Sequence, residues 1–408
     1  MNYKAKTLGL RICFSFLVLI CCSLLLSIAV SAQIAVKGET VWTMAGEPIR
    51  NGVVLVNNGK ITAVGPAASV QIPANYRVIE AKVVTPGLID ARTVVGLNGY
   101  LNQPHDQMGL DGGGSFQPEL RAIDAYNPEE KLVEWVREFG VTTIHTGHQP
   151  GALSSGQLMI AKTAGKNVDE VTVRATSMIS VALGGSGMAG QGRSPGTRAK
   201  QVAMLRAELI KAQENSKKSD APRDLRSQIM MQVIKGEVPL LVYAERAQDI
   251  MTALRIAKEF DIRIVLEGAA EAQAVINEIK ASGFPVILHP TMARSGGERE
   301  NLSRETAAKL KAAGIPFALQ SGYEGYVPKT RVVLFEAAIA AAQGLGPANA
   351  LAAITIDAAR ILGIDDRVGS IAVGKEADLA MYNGDPFEYT TNCIGTMIGG
   401  KIVSETIR

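Results

Sequence analysis

Residues 240–266 read LLVYAERAQDIMTALRIAKEFDIRIVL. Leu240-Leu241-Val242 is a short apolar run of strand length, and the pattern from Ala247 to Phe260 places apolar residues at helical spacing. Ile262-Arg263-Ile264-Val265-Leu266 is a second β-rich run. A strand, a helix and a strand in about 27 residues make a βαβ unit, whose two strands must lie parallel with the helix crossing one face. The unit recurs. Val141-Thr142-Thr143-Ile144 follows a helical stretch over 128–139. Pro285-Val286-Ile287-Leu288 and Pro316-Phe317-Ala318-Leu319 each follow another helical stretch. Repeated βα units over about 270 residues predict a closed (β/α)8 barrel, an α/β fold.

Outside the repeats the pattern changes. Residues 34–84 alternate β-rich runs with turns, and Val53-Val54-Leu55-Val56, Asn57-Asn58-Gly59-Lys60 and Ile61-Thr62-Ala63-Val64 form a predicted hairpin. At the other end, Asp378-Leu379-Ala380-Met381-Tyr382 and Met397-Ile398-Gly399-Gly400-Lys401-Ile402-Val403 again read as strands around turns. The two ends are expected to meet in a small composite β-sandwich domain, 33–83 with 362–408, beside a barrel over 84–361. Three stretches interrupt the barrel pattern. Residues 97–117 and the Gly- and Ser-rich 183–197 are expected to be loops at the barrel mouth. Residues 198–234 are charged and helical, with Lys217-Lys218-Ser219-Asp220 as a loop tip.

The first 32 residues form an address. Lys4, Lys6 and Arg11 precede an apolar run over 12–30, and Val30-Ser31-Ala32 suits cleavage before Gln33. This is the pattern of a secretory signal peptide, so the protein is expected to be periplasmic or extracellular. Retention as a membrane anchor is the alternative reading, because 19 apolar-rich residues just span a bilayer. Ile20 and Cys21 are too bulky for a lipidation site before Cys21 or Cys22. The formal charge of +3 belongs to this segment: without its three cations the chain carries 39 acids against 39 bases. Cys13, Cys21 and Cys22 leave with it, so Cys393 remains without an intrachain disulfide partner. No basic stripe interleaved with aromatics appears, so nucleic acid is not an expected partner.

Val84-Thr85-Pro86-Gly87-Leu88-Ile89-Asp90-Ala91 resembles a motif of the amidohydrolase superfamily, closest to its imidazolonepropionase-like branch. The resemblance continues through Pro118-Glu119-Leu120-Arg121-Ala122-Ile123-Asp124, Gly140-Val141-Thr142-Thr143 and Ser155-Gly156-Gln157. It ends in Ile354-Thr355, Ala358-Ala359, Leu362-Gly363, Gly369-Ser370-Ile371 and Gly374-Lys375-Glu376-Ala377-Asp378-Leu379. It implies a distorted barrel carrying a small β domain built from both termini. It also implies hydrolysis of amide, amidine or related C–N bonds by water activated on zinc or another divalent metal. That chemistry needs imidazoles and carboxylates held about 2.0–2.2 Å from the metal. The resemblance places an H-x-H pair after the first strand, histidines ending strands five and six, and an aspartate ending strand eight.

The corresponding positions here hold Arg92, Val94, Tyr243, Gly268 and Gly322. Valine and glycine have no ligating side chain. Arg92 would repel a divalent ion about 4 Å away by on the order of 8 kcal/mol at an effective dielectric near 20. The chain is therefore expected to carry no cofactor at the family's site and to be catalytically degenerate. It would serve as a binding or partner subunit, of an active paralogue or of a homo-oligomer. Two alternatives stay open at this point. One is an active hydrolase with a relocated centre, using His145 and His148 near the end of what counts as the third strand, His289 after the seventh, and Glu245 or Glu267 as acid, base or ligand. The other is a structural protein with a filled barrel. Arg92, Gln149, Tyr243, Gln320 and Tyr323 are the candidates to line a pocket for a small polar ligand. Ser154-Ser155-Gly156 lacks the frame of a nucleophile elbow. Gly184-Gly185-Ser186-Gly187 lacks the lysine and the preceding strand of a phosphate loop.

Overall fold

A computed structural model describes residues 33–405 apart from 190–191, 221 and 324–331. The leader read over 1–32, with Cys13, Cys21 and Cys22, lies outside the described residues. Among these, no helix is long and apolar enough to cross a membrane.

Four strands open the chain: β1 (Ile34–Val41), β2 (Ile49–Asn57), β3 (Lys60–Pro66) and β4 (Arg77–Pro86). The predicted hairpin is β2–β3, and Asn58 and Gly59 both turn at positive φ, as a two-residue turn matching strand twist requires. Eight strands follow: β5 (Leu88–Thr93), β6 (Val141–Gly147), β7 (Ser154–Lys162), β8 (Thr172–Ala182), β9 (Leu240–Ala244), β10 (Ile264–Gly268), β11 (Val286–Leu288) and β12 (Phe317–Ala318). The last three are β13 (Leu379–Tyr382), β14 (Cys393–Ile398) and β15 (Lys401–Ser404).

Strands from both chain ends join in one seven-stranded sheet, in the order β15-β14-β13-β4-β1-β2-β3. Its join is β4 against β13, antiparallel from Leu379↔Pro86 to Tyr382↔Val83. The β14–β15 turn at Gly399 and Gly400 packs on the β2–β3 turn so tightly that a Cβ on Gly59 would stand 2.9 Å from the Gly399 carbonyl oxygen. The composite β domain is thus one mixed sheet, with Ile34, Val36, Val54, Val84, Leu379 and Met397 in its main core.

The second sheet runs β5 to β12 in sequence order and closes through a parallel bridge, Thr93↔Gly322. It is the expected eight-stranded barrel, with one departure. Its third strand, β7, runs antiparallel to both neighbours. Val141–Gly147 is therefore the second barrel strand, not the third. The long segment between β5 and β6 contributes no strand, and the 148–153 turn sends the chain straight back as a hairpin partner, a route the βα rhythm elsewhere does not signal.

Alternation along each strand separates two cores. Leu240, Val242, Ile264, Leu266, Val286 and Leu288 face the helices. Ile89, Ala91, Leu241, Val265, Ile287 and Ala318 fill the barrel interior above a plug of Ala358, Ala359, Leu362 and Val368. The helix Ala247–Phe260 buries Ile250, Ala253, Ile256, Ala257 and Phe260 at spacings of three and four, and stops where Asp261 adopts φ +52. The charged stretch folds as two helices, Arg198–Ser216 and Leu225–Ile234, capped by Thr197 and Asp224.

Candidate functional site

The same alternation decides what stands at the barrel mouth. One step beyond Leu241 and Val265 in the interior layer come Tyr243 on β9 and Glu267 on β10, both buried. On β5 the register with β6 slips between Asp90 and Thr93. Beyond that slip Arg92 enters the layer and is fully enclosed, at 0% exposure.

Arg92 and Glu267 form a buried ion pair, Nε to Oε1 at 3.1 Å. The rest of the guanidinium is spent on backbone. Nη1 donates to the carbonyls of Thr93 (2.7 Å) and Gly147 (3.3 Å), and Nη2 to that of His148 (2.5 Å). The Tyr323 hydroxyl donates to Glu267 Oε1, and the Arg92 guanidinium lies 4.9 Å from the centre of the Tyr323 ring. Tyr243 meets Tyr323 edge-on at 6.0 Å and donates to Glu245 Oε1 at 2.5 Å. Burial pushes Glu267 up to about 7, and the Arg92 guanidinium holds it back from rising further. Burial also raises Glu245 and Tyr243.

Above this layer a cavity of about 90 Å³ remains, lined by Tyr243, Glu245, His289, Gln320 and Tyr323, with Arg299 at its rim. It has room for about three waters at roughly 30 Å³ each. The mouth is therefore mostly filled by Arg92 and the tyrosines but not sealed. Of the pocket residues read from the sequence, Tyr243, Gln320 and Tyr323 line the cavity, whereas Arg92 lies below it. Gln149 does not reach it; its backbone N–H donates to Gly109 in the loop after β5, so its place is beside that loop.

The three histidines do not converge. His145 sits inside the barrel wall on β6, with Nδ1 2.8 Å from the Ala91 carbonyl and Nε2 2.8 Å from Ser177 Oγ, so both nitrogens are taken. His148 follows β6 and His289 follows β11; β5 and β12 separate those two strands around the barrel. His145 and His148 come from β6 and the turn after it, whereas His289 lines the cavity. Among the described residues no group of three or more His, Cys, Asp or Glu side chains is arranged to hold a metal ion.

Burial lowers His145 to about 3, with the Arg92 charge adding to the effect. Because its folded value lies below the unfolded value near 6.5, its contribution to stability is complete above about pH 6.5 and is lost as pH falls toward 3. His145→Gln is therefore expected to flatten the loss of urea resistance between pH 7.5 and pH 5. Equal pH slopes in the variant and the parent protein would contradict it.

Two residues of the site were not singled out in the sequence. Asp90 is buried in the Gly87-Leu88-Ile89-Asp90 motif and accepts from the Ser321 N–H, the Ser321 hydroxyl and the Arg92 N–H, tying the first strand to the last. Burial pushes it up to about 7. Its place in the motif was a usable signal. Arg299 comes from the loop after β11, and nothing local marks it; its Nε stands 3.9 Å from Glu245 Oε1.

Residues 300–403 match the family model described as Amidohydrolase family. The imidazolonepropionase of Paracoccus denitrificans (strain Pd 1222) is 26% identical over 405 residues, covering 87% of this chain and 95% of that protein. That of Geobacillus kaustophilus (strain HTA426) is 36% identical over 104 residues, 24% of each chain. The crystal structure of an amidohydrolase from Thermotoga maritima MSB8 superimposes with a TM-score of 0.86 at 27% identity, covering 91% of this chain and all of that one.

Proposed function

For a chain that belongs to the amidohydrolase superfamily by sequence and fold, we propose a role in binding rather than in metal-dependent hydrolysis. The observation that carries this reading is the Arg92–Glu267 ion pair at the centre of the barrel mouth. A divalent ion needs neutral or anionic donors turned toward it. The five positions that the family resemblance assigns to ligands offer a cation, Val94, two glycines and the Tyr243 phenol, whose proton is committed to Glu245. The residues present do not fit the metal.

The scaffold around the mouth remains built: Asp90 still ties β5 to the strand-eight loop, and a small cavity persists above Arg92. This supports a protein that holds a small polar ligand, alone, as a homo-oligomer or beside an active relative. The leader over 1–32 adds export to the reading, with the work done in the periplasm or outside the cell. A relocated hydrolase centre is not favoured, because both nitrogens of His145 are already bonded.

Purified mature protein is expected to contain far less than one equivalent of zinc or other divalent metal by elemental analysis. It is expected to show no chelator-sensitive turnover of N-acyl amino acids, dipeptides or cyclic amides. Stoichiometric metal with turnover that a chelator abolishes would end the reading. N-terminal sequencing of the exported protein is expected to begin at Gln33.

A further inference from the structure

We propose that the barrel-mouth cavity receives a small nitrogen cation with several N–H donors, a primary ammonium or an amidinium, through His289 Nε2, Gln320 Oε1 and the Glu245 carboxylate. This rests on the binding reading above and supplies its ligand class.

The inference comes from counting where each proton goes. His289 is buried, and its Nδ1 is 3.0 Å from the Pro290 carbonyl oxygen. A carbonyl only accepts, so Nδ1 carries the hydrogen and Nε2 presents a lone pair. Burial lowers this imidazole to about 4, which keeps it neutral at pH 7. Gln320 is equally buried and donates its amide to the Ile287 carbonyl at 3.3 Å, so Oε1 is left as an acceptor. Both His289 Nε2 and Gln320 Oε1 lack a hydrogen-bond partner. Of the other side-chain donors of the lining, Tyr243 is spent on Glu245, Tyr323 on Glu267 and Ser321 on Asp90, which leaves chiefly the Arg299 guanidinium. The residues around the cavity therefore carry two unpaired acceptors and a carboxylate, beside the Arg299 guanidinium.

An anion would find only the Arg299 guanidinium to offset the Glu245 carboxylate and two acceptors, and an apolar group would leave those two buried acceptors unpaired. A cation bearing several N–H groups satisfies both and faces Glu245. The volume of about 90 Å³ suits a head group of a few heavy atoms. Arg299 is the resident cation. It is loosely held, 3.9 Å from Glu245 Oε1 with its side chain 39% exposed, so an incoming cation displaces it toward solvent. The Arg92 guanidinium already stacks on Tyr323, so the selectivity assigned here comes from hydrogen bonds to the acceptors.

The test is calorimetric titration of the full mature chain with acetamidine hydrochloride, methylammonium chloride and sodium acetate at equal ionic strength. Saturable 1:1 binding of the two cations and none of acetate is expected. Gln320→Met, close to isosteric, and His289→Phe are each expected to weaken acetamidinium about tenfold or more, the scale of a hydrogen bond to a charged group. Arg299→Gln is expected to tighten it severalfold. Thermal melts establish that each variant is folded. Acetate binding as strong as acetamidinium binding would overturn the proposal, as would acetamidinium affinity unchanged in folded Gln320→Met and Arg299→Gln. Elemental analysis of the same preparations separates the two readings. Stoichiometric metal defeats the binding role itself, whereas metal-free protein that ignores acetamidinium defeats only the ligand assignment.

Discussion

Arg92→Ala is expected to cost about 3–5 kcal/mol of unfolding free energy at pH 8, the range for breaking a buried ion pair from one side. Three consequences combine. Glu267 loses the cation 3.1 Å away, the carbonyls of Thr93, Gly147 and His148 lose their donors, and an arginine-sized void opens in a fully enclosed layer. The penalty should depend on pH. Glu267 already sits near 7 in the folded protein, above its unfolded value of about 4.5, because of burial. Without Arg92 it rises further, so the folded variant takes up a proton more readily and the loss shrinks as pH falls below 7. Denaturation midpoints in urea at pH 8 and pH 6 measure this. Adding Glu267→Gln to Arg92→Met should give a double variant about 2 kcal/mol less destabilised than the sum of the singles. Strict additivity, with no pH dependence, would show that the two side chains do not depend on one another.

A histidine at Gly268, a position that the family resemblance assigns to a ligand, should be nearly as damaging. Gly268→His is expected to lose roughly 2–5 kcal/mol, of which about 1–2 kcal/mol is the cost of a left-handed backbone for an L side chain and the rest overpacking. Gly268 has φ +83, and a Cβ there would stand 2.9 Å from Glu245 Oε2 and 3.0 Å from Tyr243 Cε2. The strand-eight position is similarly closed. Gly322 has φ +87, and a Cβ would meet Pro290 Cγ at 2.8 Å. The five-fold change Arg92→His, Val94→His, Tyr243→His, Gly268→His and Gly322→Asp is accordingly expected not to retain zinc through dialysis. Gly268→Ala isolates the backbone and Cβ contribution from that of the imidazole. A melting temperature unchanged in Gly268→His, or stoichiometric zinc in the five-fold variant, would show that the barrel mouth has room for those side chains.

Much of the barrel was legible because its information is local. Alternation in Leu240-Leu241-Val242-Tyr243 assigns Leu241 and Tyr243 to one face before any neighbour is known, and the structure places that face inside. Asn58-Gly59 demanded a tight turn by its own dihedral preferences. The antiparallel β7 was not legible, since Ser154–Lys162 is a β-rich run whose direction depends on where the chain turned back. In the site, Tyr243, Gln320 and Tyr323 line the cavity, whereas Gln149 lies beside the loop at residues 97–117.

The sequence alone determined that Arg92, Val94, Tyr243, Gly268 and Gly322 stand at the five positions that the family resemblance assigns to metal ligands, because identity at a position needs no partner to be read. Only the tertiary structure decided what those side chains and their neighbours meet. The charge of Arg92 is answered by Glu267, while Tyr243 donates to Glu245, Tyr323 to Glu267, His289 to the Pro290 carbonyl and Gln320 to the Ile287 carbonyl. The Arg92–Glu267, Tyr323–Glu267 and Gln320–Ile287 contacts join residues from different barrel strands and the loops that follow them, and no run of residues contains them.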